Sequence, residues 1–121
     1  MVIPGEEEVL KYLKKYNNSI KYWEFDEILD LHIEQEYDYN LCKNVYNGEF
    51  VVFDGLNKLK IEMKGIHGDI KVFIGGHLEG FCIEDCKSKG FESDNRYHLT
   101  DFENQSDFSI YCSELYVSLV M

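Results

Sequence analysis

The stretch of sequence that decides the fold is LDLHIEQEYDY, residues 29–39. Apolar residues take every second position through its first half, at Leu29, Leu31 and Ile33. Because successive side chains of a β-strand point to opposite faces, this alternation predicts a strand with one buried face and one solvent-facing face. The strand is therefore expected to lie in a sheet that has one face against the core and the other face in solvent.

Further segments with strand character follow to the end of the chain, separated by turn signals. They are centred on residues 49–53, 58–64, 70–74, 78–83, 97–99, 108–113 and 115–119. Asn47-Gly48 is a dipeptide typical of a type I′ hairpin turn, and Asp54-Gly55 is a second turn signal. Short strands at this spacing predict an antiparallel sandwich or a curved sheet.

One helix is predicted, at the start of the chain. Glutamates at positions 6–8 precede lysines at positions 11, 14 and 15, an order that complements the helix dipole. The predicted fold is α+β, with a helix at about residues 6–17 packed on a predominantly antiparallel sheet or sandwich of seven to nine short strands over about residues 28–120. A chain of 121 residues is the size of one domain, so residues 1–121 are expected to fold as a single unit.

The chain carries a formal net charge of −11 at pH 7. A domain this acidic is expected to repel nucleic acid and anionic membranes, because both are bound through basic surfaces. No apolar run has the length of a membrane span, and the start lacks a basic segment followed by an apolar one. These features predict a cytoplasmic protein.

The acidic residues are concentrated in residues 22–57, which hold nine Asp and Glu against one lysine. If residues 29–39 form one strand, Asp30, His32, Glu34, Glu36 and Asp38 share a face, with successive members about 6.6 Å apart along the strand. One interpretation is a solvated face that prevents the strand from pairing with other chains. The other is a face that binds a cationic partner.

Aromatic residues lie just before and within this row, and aromatic side chains are frequent anchors of protein interfaces. Trp23 and Phe25 also have an alternative role, filling the core under the N-terminal helix. The predicted partner-binding residues are Tyr22, Trp23, Asp26, Glu27, Asp30, Glu34, Glu36, Tyr37 and Asp38.

The cysteines and histidines suggest two other functions. Cys82 and Cys86 lie between His77 and His98, and cysteine and histidine side chains are the usual ligands of zinc. The spacing is not that of paired zinc knuckles, so buried thiols are the favoured interpretation. A small hydrolase is the other alternative, with His67, His77 or His98 on loops as acid and base. No catalytic residue, metal site or cofactor is predicted.

Three passages resemble the small immunity proteins that protect bacteria from polymorphic toxins, in particular the immunity-protein family numbered fifty. They are YWEFDEI at residues 22–28, FCIED at 81–85 and DFSIYCSELYV at 107–117. The first passage lacks the histidine that often precedes the aspartate in that family, since Phe25 is followed directly by Asp26. The resemblance implies a non-enzymatic protein that binds and blocks a toxin without a cofactor.

The sequence therefore predicts a small acidic binding protein of the bacterial cytoplasm that covers a cationic surface of a partner protein. A toxin domain is the partner that the resemblance implies. The protein is not expected to be an enzyme.

Overall fold

The computed structural model describes residues 3–16, 19–72, 77–86, 96–103 and 108–120. These residues form one α-helix and eight strands, which confirms the predicted α+β class. The elements are α1 (Glu6–Tyr12), a 3-10 turn (Tyr22–Glu24), β1 (Glu27–Asp38), β2 (Lys43–Phe53), β3 (Lys58–Lys64), β4 (His67–Lys71), β5 (Phe81–Asp85), β6 (Tyr97–Asp101), β7 (Ser109–Cys112) and β8 (Glu114–Val120). The strand predicted at residues 70–74 overlaps β4 only at residues 70 and 71, because β4 begins earlier, at His67. Residues 73–76 lie outside the described part of the chain.

The strands form two antiparallel sheets. The first sheet has the order β1-β2-β3-β8, and the second has the order β4-β7-β6-β5. The chain passes between them twice, at Gly65 between β3 and β4 and at Ser113 between β7 and β8. Gly65 has φ +66°, and a Cβ there would collide with the Ser113 side chain. The Ser113 amide donates to the carbonyl oxygens of Lys64 (3.0 Å) and Gly65 (3.2 Å), so the two crossings are joined in one corner.

Three phenylalanines hold the two sheets together. Phe50 comes from the first sheet, while Phe81 and Phe108 belong to the second or border it, and none is more than 1% exposed. Their ring centroids are 5.2–6.2 Å apart, a range in which aromatic pairs attract beyond simple burial. Phe25 is also fully buried, as its alternative role predicted.

The helix is shorter than predicted. It ends at Tyr12 and not near residue 17, which itself lies outside the described residues. After the helix, Lys15 pairs with Asp54 at 2.8 Å and the Tyr16 hydroxyl donates to Glu24 at 3.1 Å. These tertiary contacts place the segment after Tyr12, and such contacts commonly override local helix preference.

The segment before the helix covers the β8 edge of the first sheet. The Pro4 carbonyl accepts a hydrogen bond from the Val117 amide at 2.9 Å. Gly5 has φ +92°, and a Cβ on it would collide with the Val117 backbone. A glycine at this position therefore lets the chain lie directly against β8 before α1 begins.

The hairpin turn predicted at Asn47-Gly48 is wrong. Both residues lie inside β2, opposite Glu34 and Ile33 of β1, and the chain turns at residues 39–42 instead. A Cβ on Gly48 would lie 3.1 Å from Ile33 Cγ1 and would collide with the carbonyl oxygen of His32. Gly48 is thus used for a close approach of two strands, a second common role of strand glycines.

The turn predicted at Asp54-Gly55 is confirmed. Asp54 Oδ1 accepts the backbone amides of Leu56 (2.9 Å) and Asn57 (2.6 Å), and Gly55 has φ +95°. Among the described residues, no helix has the length and apolar composition that crossing a membrane would require.

Asp101 ties two loops to the second sheet, and its loss is expected to be costly. Its carboxylate is 2% exposed and accepts the amides of Glu79 (2.8 Å), Gly80 (3.0 Å) and Glu103 (2.9 Å). Asp101→Ala leaves these donors without their acceptor, so we expect the free energy of unfolding in urea to fall by about 2–4 kcal/mol. Glu103→Gln is the control, since it changes only an exposed side chain, and should stay within about 0.5 kcal/mol. An Asp101→Ala protein as stable as the wild type would contradict this role.

Candidate protein-binding surface

A two-stranded hairpin extends beyond the first sheet. β2 pairs with β3 only from Gly48 to Phe53. Farther out, residues 34–38 and 43–47 pair with each other, and among the described residues no third strand joins them. We call residues 34–47 the hairpin arm. At its base, the Ile66 amide donates to the Tyr46 carbonyl (2.8 Å), and the Gly65 amide donates to Asn47 Oδ1 (3.1 Å).

The acidic residues of β1 share one face, as predicted. We call Asp30, Glu34, Glu36 and Asp38 the acidic face; the first three are exposed and Asp38 is half-buried. On the opposite face, Leu31 and Ile33 pack against the core. The register shifts by one residue between Ile28 and Asp30.

Within the described part of the chain, no lysine or arginine forms an ion pair with the four carboxylates of the acidic face. Lys43 of β2 is the cross-strand neighbour of Asp38 at the tip. The next strands differ. Lys60 of β3 lies 3.4 Å from both Glu49 and Glu62, so that part of the sheet surface is balanced. Among the described residues of this sheet, acidic side chains without an ion pair to lysine or arginine are therefore concentrated along β1.

His32 lies within the row, between Asp30 and Glu34. Its Nε2 is 2.7 Å from Glu34 Oε1. The hydrogen bond to Glu34 and then the charge of that carboxylate raise the pKa of His32 above its usual value, with smaller contributions from Asp30 and from Glu49 on β2. Protonation of His32 thus makes the face less negative as the pH falls.

Hydrogen bonds shape the outer end of the acidic face. Asp38 Oδ1 accepts the amides of Asn40 (2.9 Å) and Leu41 (3.1 Å), which builds the turn at the tip of the arm. Glu36 Oε2 accepts from Asn47 Nδ2 at 3.0 Å. Because Asn47 also binds the Gly65 amide, one amide side chain links the acidic face to the corner between the sheets.

The arm also carries exposed aromatic and apolar side chains at its outer end, here called the tip patch: Tyr37, Tyr39 and Leu41. Tyr46, at the base of the arm, is exposed as well. Tyr39 is 84% exposed and Tyr37 51% exposed, and their rings meet edge to face with centroids 4.9 Å apart. Only Tyr37 was predicted as an anchor. The others were missed because the turn was predicted at residues 47–48. The signal for the true turn is Asp38 followed two residues later by Asn40, since both residue types are frequent in turns.

A groove borders the acidic face. It has a cavity volume of about 460 Å³ and lies between the arm and the corner. Its lining includes the carboxylates of Glu36, Asp38 and Glu114, and the cation among its lining residues is Lys64. This is a concave acidic surface next to the tip patch.

The other predicted site residues lie at the base of β1 and are not brought together with the arm. Trp23 is 59% exposed, so its alternative role in the core is wrong, and Asp26 and Glu27 are also exposed. Tyr22 is 7% exposed and packs edge-on against Phe81, so it is not available as a surface anchor. At about 3.3 Å per residue, the base and the tip of β1 are about 36 Å apart.

The cysteine geometry gives no sign of a metal centre in the described residues, where no group of three or more potential ligands converges. Cys42 is exposed at the tip of the arm, with φ +53°. Cys86 and Cys112 are buried and Cys82 is half-buried. Burial raises the pKa of the Cys112 thiol to about 12, which makes it unreactive near neutral pH.

The histidines proposed for hydrolysis are not all on loops. His67 lies on β4 and His98 on β6, with Tyr111 of β7 between them. The His98 ring stacks on Tyr111 with centroids 4.0 Å apart, and its Nε2 is 2.8 Å from Ser109 Oγ. His77 pairs with Glu27 at the base of β1. A hydroxyl beside an imidazole is one element of nucleophilic catalysis, and the hydrolase alternative stays a prediction.

Comparisons with protein-family models, with curated proteins and with solved structures find no match. The resemblance to immunity proteins stays a prediction from the sequence.

The environment of His32 predicts a measurable titration. A pH titration followed by NMR should give His32 a pKa above 6.5, and Glu34→Gln should lower it, because the main hydrogen bond and its charge are lost. The stabilisation from protonated His32 is present at low pH and is lost as pH rises through this raised pKa. Glu103→Gln is the remote control and should leave the titration unchanged. An unshifted His32, or one that ignores Glu34→Gln, would contradict the contact.

The thiol environments predict selective alkylation and no bound zinc. Iodoacetamide at pH 8 should modify Cys42 in the folded protein, while Cys112 reacts only after unfolding, as peptide mapping by mass spectrometry would detect. Cys42→Ser should remove the fast reaction. Elemental analysis should find far less than one zinc per chain, and a value near one would instead support a site at Cys82 and Cys86.

Proposed function

We propose that this protein is a non-enzymatic binding protein of the bacterial cytoplasm that neutralises a toxin by covering a cationic surface. The observation that carries the proposal is the hairpin arm, which presents a row of carboxylates without ion pairs to lysine or arginine together with exposed aromatic side chains. The predicted resemblance to immunity proteins is in line with it.

The acidic face would mainly raise the rate of association, and the tip patch would mainly supply apolar contact in the complex. Carboxylates spaced along an exposed strand attract a basic surface over about 8–10 Å at moderate salt and so raise the rate of association. They contribute less to slowing dissociation, because exposed charges remain hydrated. Tyr37, Tyr39 and Leu41, each more than half exposed, would supply apolar contact area by becoming buried in the interface.

The interpretation of the row as a purely protective, solvated face explains the charges but not the aromatic residues beside them. A face that only needs to prevent strand pairing is served by charge alone. Exposed tyrosines at the tip of such an arm add apolar surface, which works against solubility. Their presence on the same arm, with Tyr37 on the face of β1 opposite the carboxylates, therefore favours a partner-binding arm over a purely protective one.

The test uses the purified product of the gene immediately upstream, expected to be a basic toxin, and measures its association and dissociation rates with this protein. Replacing the acidic face by the matching amides should slow association at least tenfold at 50 mM salt and change dissociation by less than about threefold. The amide at position 38 keeps the oxygen that Asn40 and Leu41 bind. The substitutions are Asp30→Asn, Glu34→Gln, Glu36→Gln and Asp38→Asn.

A matched control removes the same number of charges elsewhere, from exposed acids on α1, on β4 and in loops beside the second sheet. It should slow association by less than about threefold and keep the wild-type salt dependence. The control substitutions are Glu7→Gln, Asp69→Asn, Glu79→Gln and Glu103→Gln. Equal behaviour of the two variants would show that the acidic face is not the binding surface, and an upstream product that neither harms cells nor binds would overturn the toxin assignment.

A further inference from the structure

The two edges of the first sheet are treated differently by the chain. At the β8 edge, the Val117 amide donates a hydrogen bond to the Pro4 carbonyl oxygen, so the segment before α1 lies against this edge. At the other edge, the base of β1 is met by residues 77–78, through a bridge from His77 to Glu27 and a hydrogen bond from the Leu78 amide to the Asp26 carbonyl. Farther along β1, at residues 33–38, no described residue pairs with this edge of the sheet.

Over residues 33–38, β1 is paired on one side only. Its partner there is β2, and no other described residue forms a strand pair or a backbone hydrogen bond with this segment. An edge strand of this kind offers a row of backbone donors and acceptors to another extended chain. Six residues are the length of an ordinary strand, so the open segment can accept a complete one.

The charges on this edge select what can pair with it. Glu34, Glu36 and Asp38 point to the outer face, so a second copy of β1 would place carboxylates beside carboxylates, which is unfavourable. A strand with Lys or Arg at every second position would place cations beside them at the same spacing of about 6.6 Å. On the other face the added strand would lie beside Gln35 and Tyr37, where apolar side chains would cover the exposed tyrosine ring.

We propose that the open edge of β1 at residues 33–38 accepts an extended basic segment of the partner as an added β-strand, with Lys or Arg alternating with apolar residues. The proposal rests on the proposed function, because it names how the same acidic face is occupied. Backbone hydrogen bonds would fix the register, and the alternating charges would give specificity.

The test uses a synthetic probe whose charge is held constant while its backbone donors are removed. The first peptide is Lys-Val-Lys-Val-Lys-Val-Lys, blocked at both ends, and the second is the same peptide with its five central backbone nitrogens methylated. Calorimetry at 20 mM salt should show the first peptide binding at least tenfold more tightly. Hydrogen exchange of amides within residues 33–38 should slow at least fivefold with the first peptide and remain unchanged with the second.

The outcomes separate the two proposals. Equal affinity of both peptides, or no change in hydrogen exchange, would overturn strand addition while leaving an acidic docking surface. Failure of the first peptide to bind would also overturn it. If the first peptide binds equally well to the variant with the neutralised acidic face, the charges do not select the strand, and the proposed function loses its support as well.

Discussion

The corner at Gly65 and Ser113 is the constraint on which the rest of the structure depends. β3 leaves the first sheet there, so residues 43–47 of β2, which precede Gly48, have no second strand beside them among the described residues, although they still pair with β1. The hairpin arm is the direct result, because β1 and β2 extend farther than β3, the strand beside them. The corner needs a residue with φ +66° and no Cβ, and a glycine satisfies both requirements. The position of the hairpin arm is thus set by one backbone crossing.

The arm is oriented by hydrogen bonds and not by a core of its own. Asn47 contacts both Glu36 and the Gly65 amide, and the Tyr46 carbonyl accepts the Ile66 amide. A two-stranded ribbon without a packed face is only marginally stable by itself. These links to the corner therefore make the arm an extension of the sandwich, which lowers the ordering cost of binding through it.

The sequence was sufficient to predict those features that depend on which side chains face the core. Alternation at residues 29–33 predicted both the strand and its acidic face, because burial of Leu31 and Ile33 fixes where Asp30 and Glu34 point. The turn at Asn47-Gly48 was wrong because a glycine that permits a turn and a glycine that permits close strand approach look the same locally. The roles of Tyr22 and Trp23 depended on which adjacent aromatic side chain faces Phe81, which a 3-10 turn decides and periodicity does not.

The division between core and arm has a consequence for how binding could diversify. The phenylalanine cluster that joins the sheets lies on the inner faces, whereas the acidic face and the tip patch lie on or beyond the edge of the first sheet. Most substitutions in the arm therefore leave the core packing untouched and are expected to change stability by only about 0.5 kcal/mol. Asp38 and Asn47 are the exceptions, because their side chains build the tip and the base of the arm. Under the proposed function, substitutions at the remaining positions would match a partner with a different charge pattern while the fold is retained.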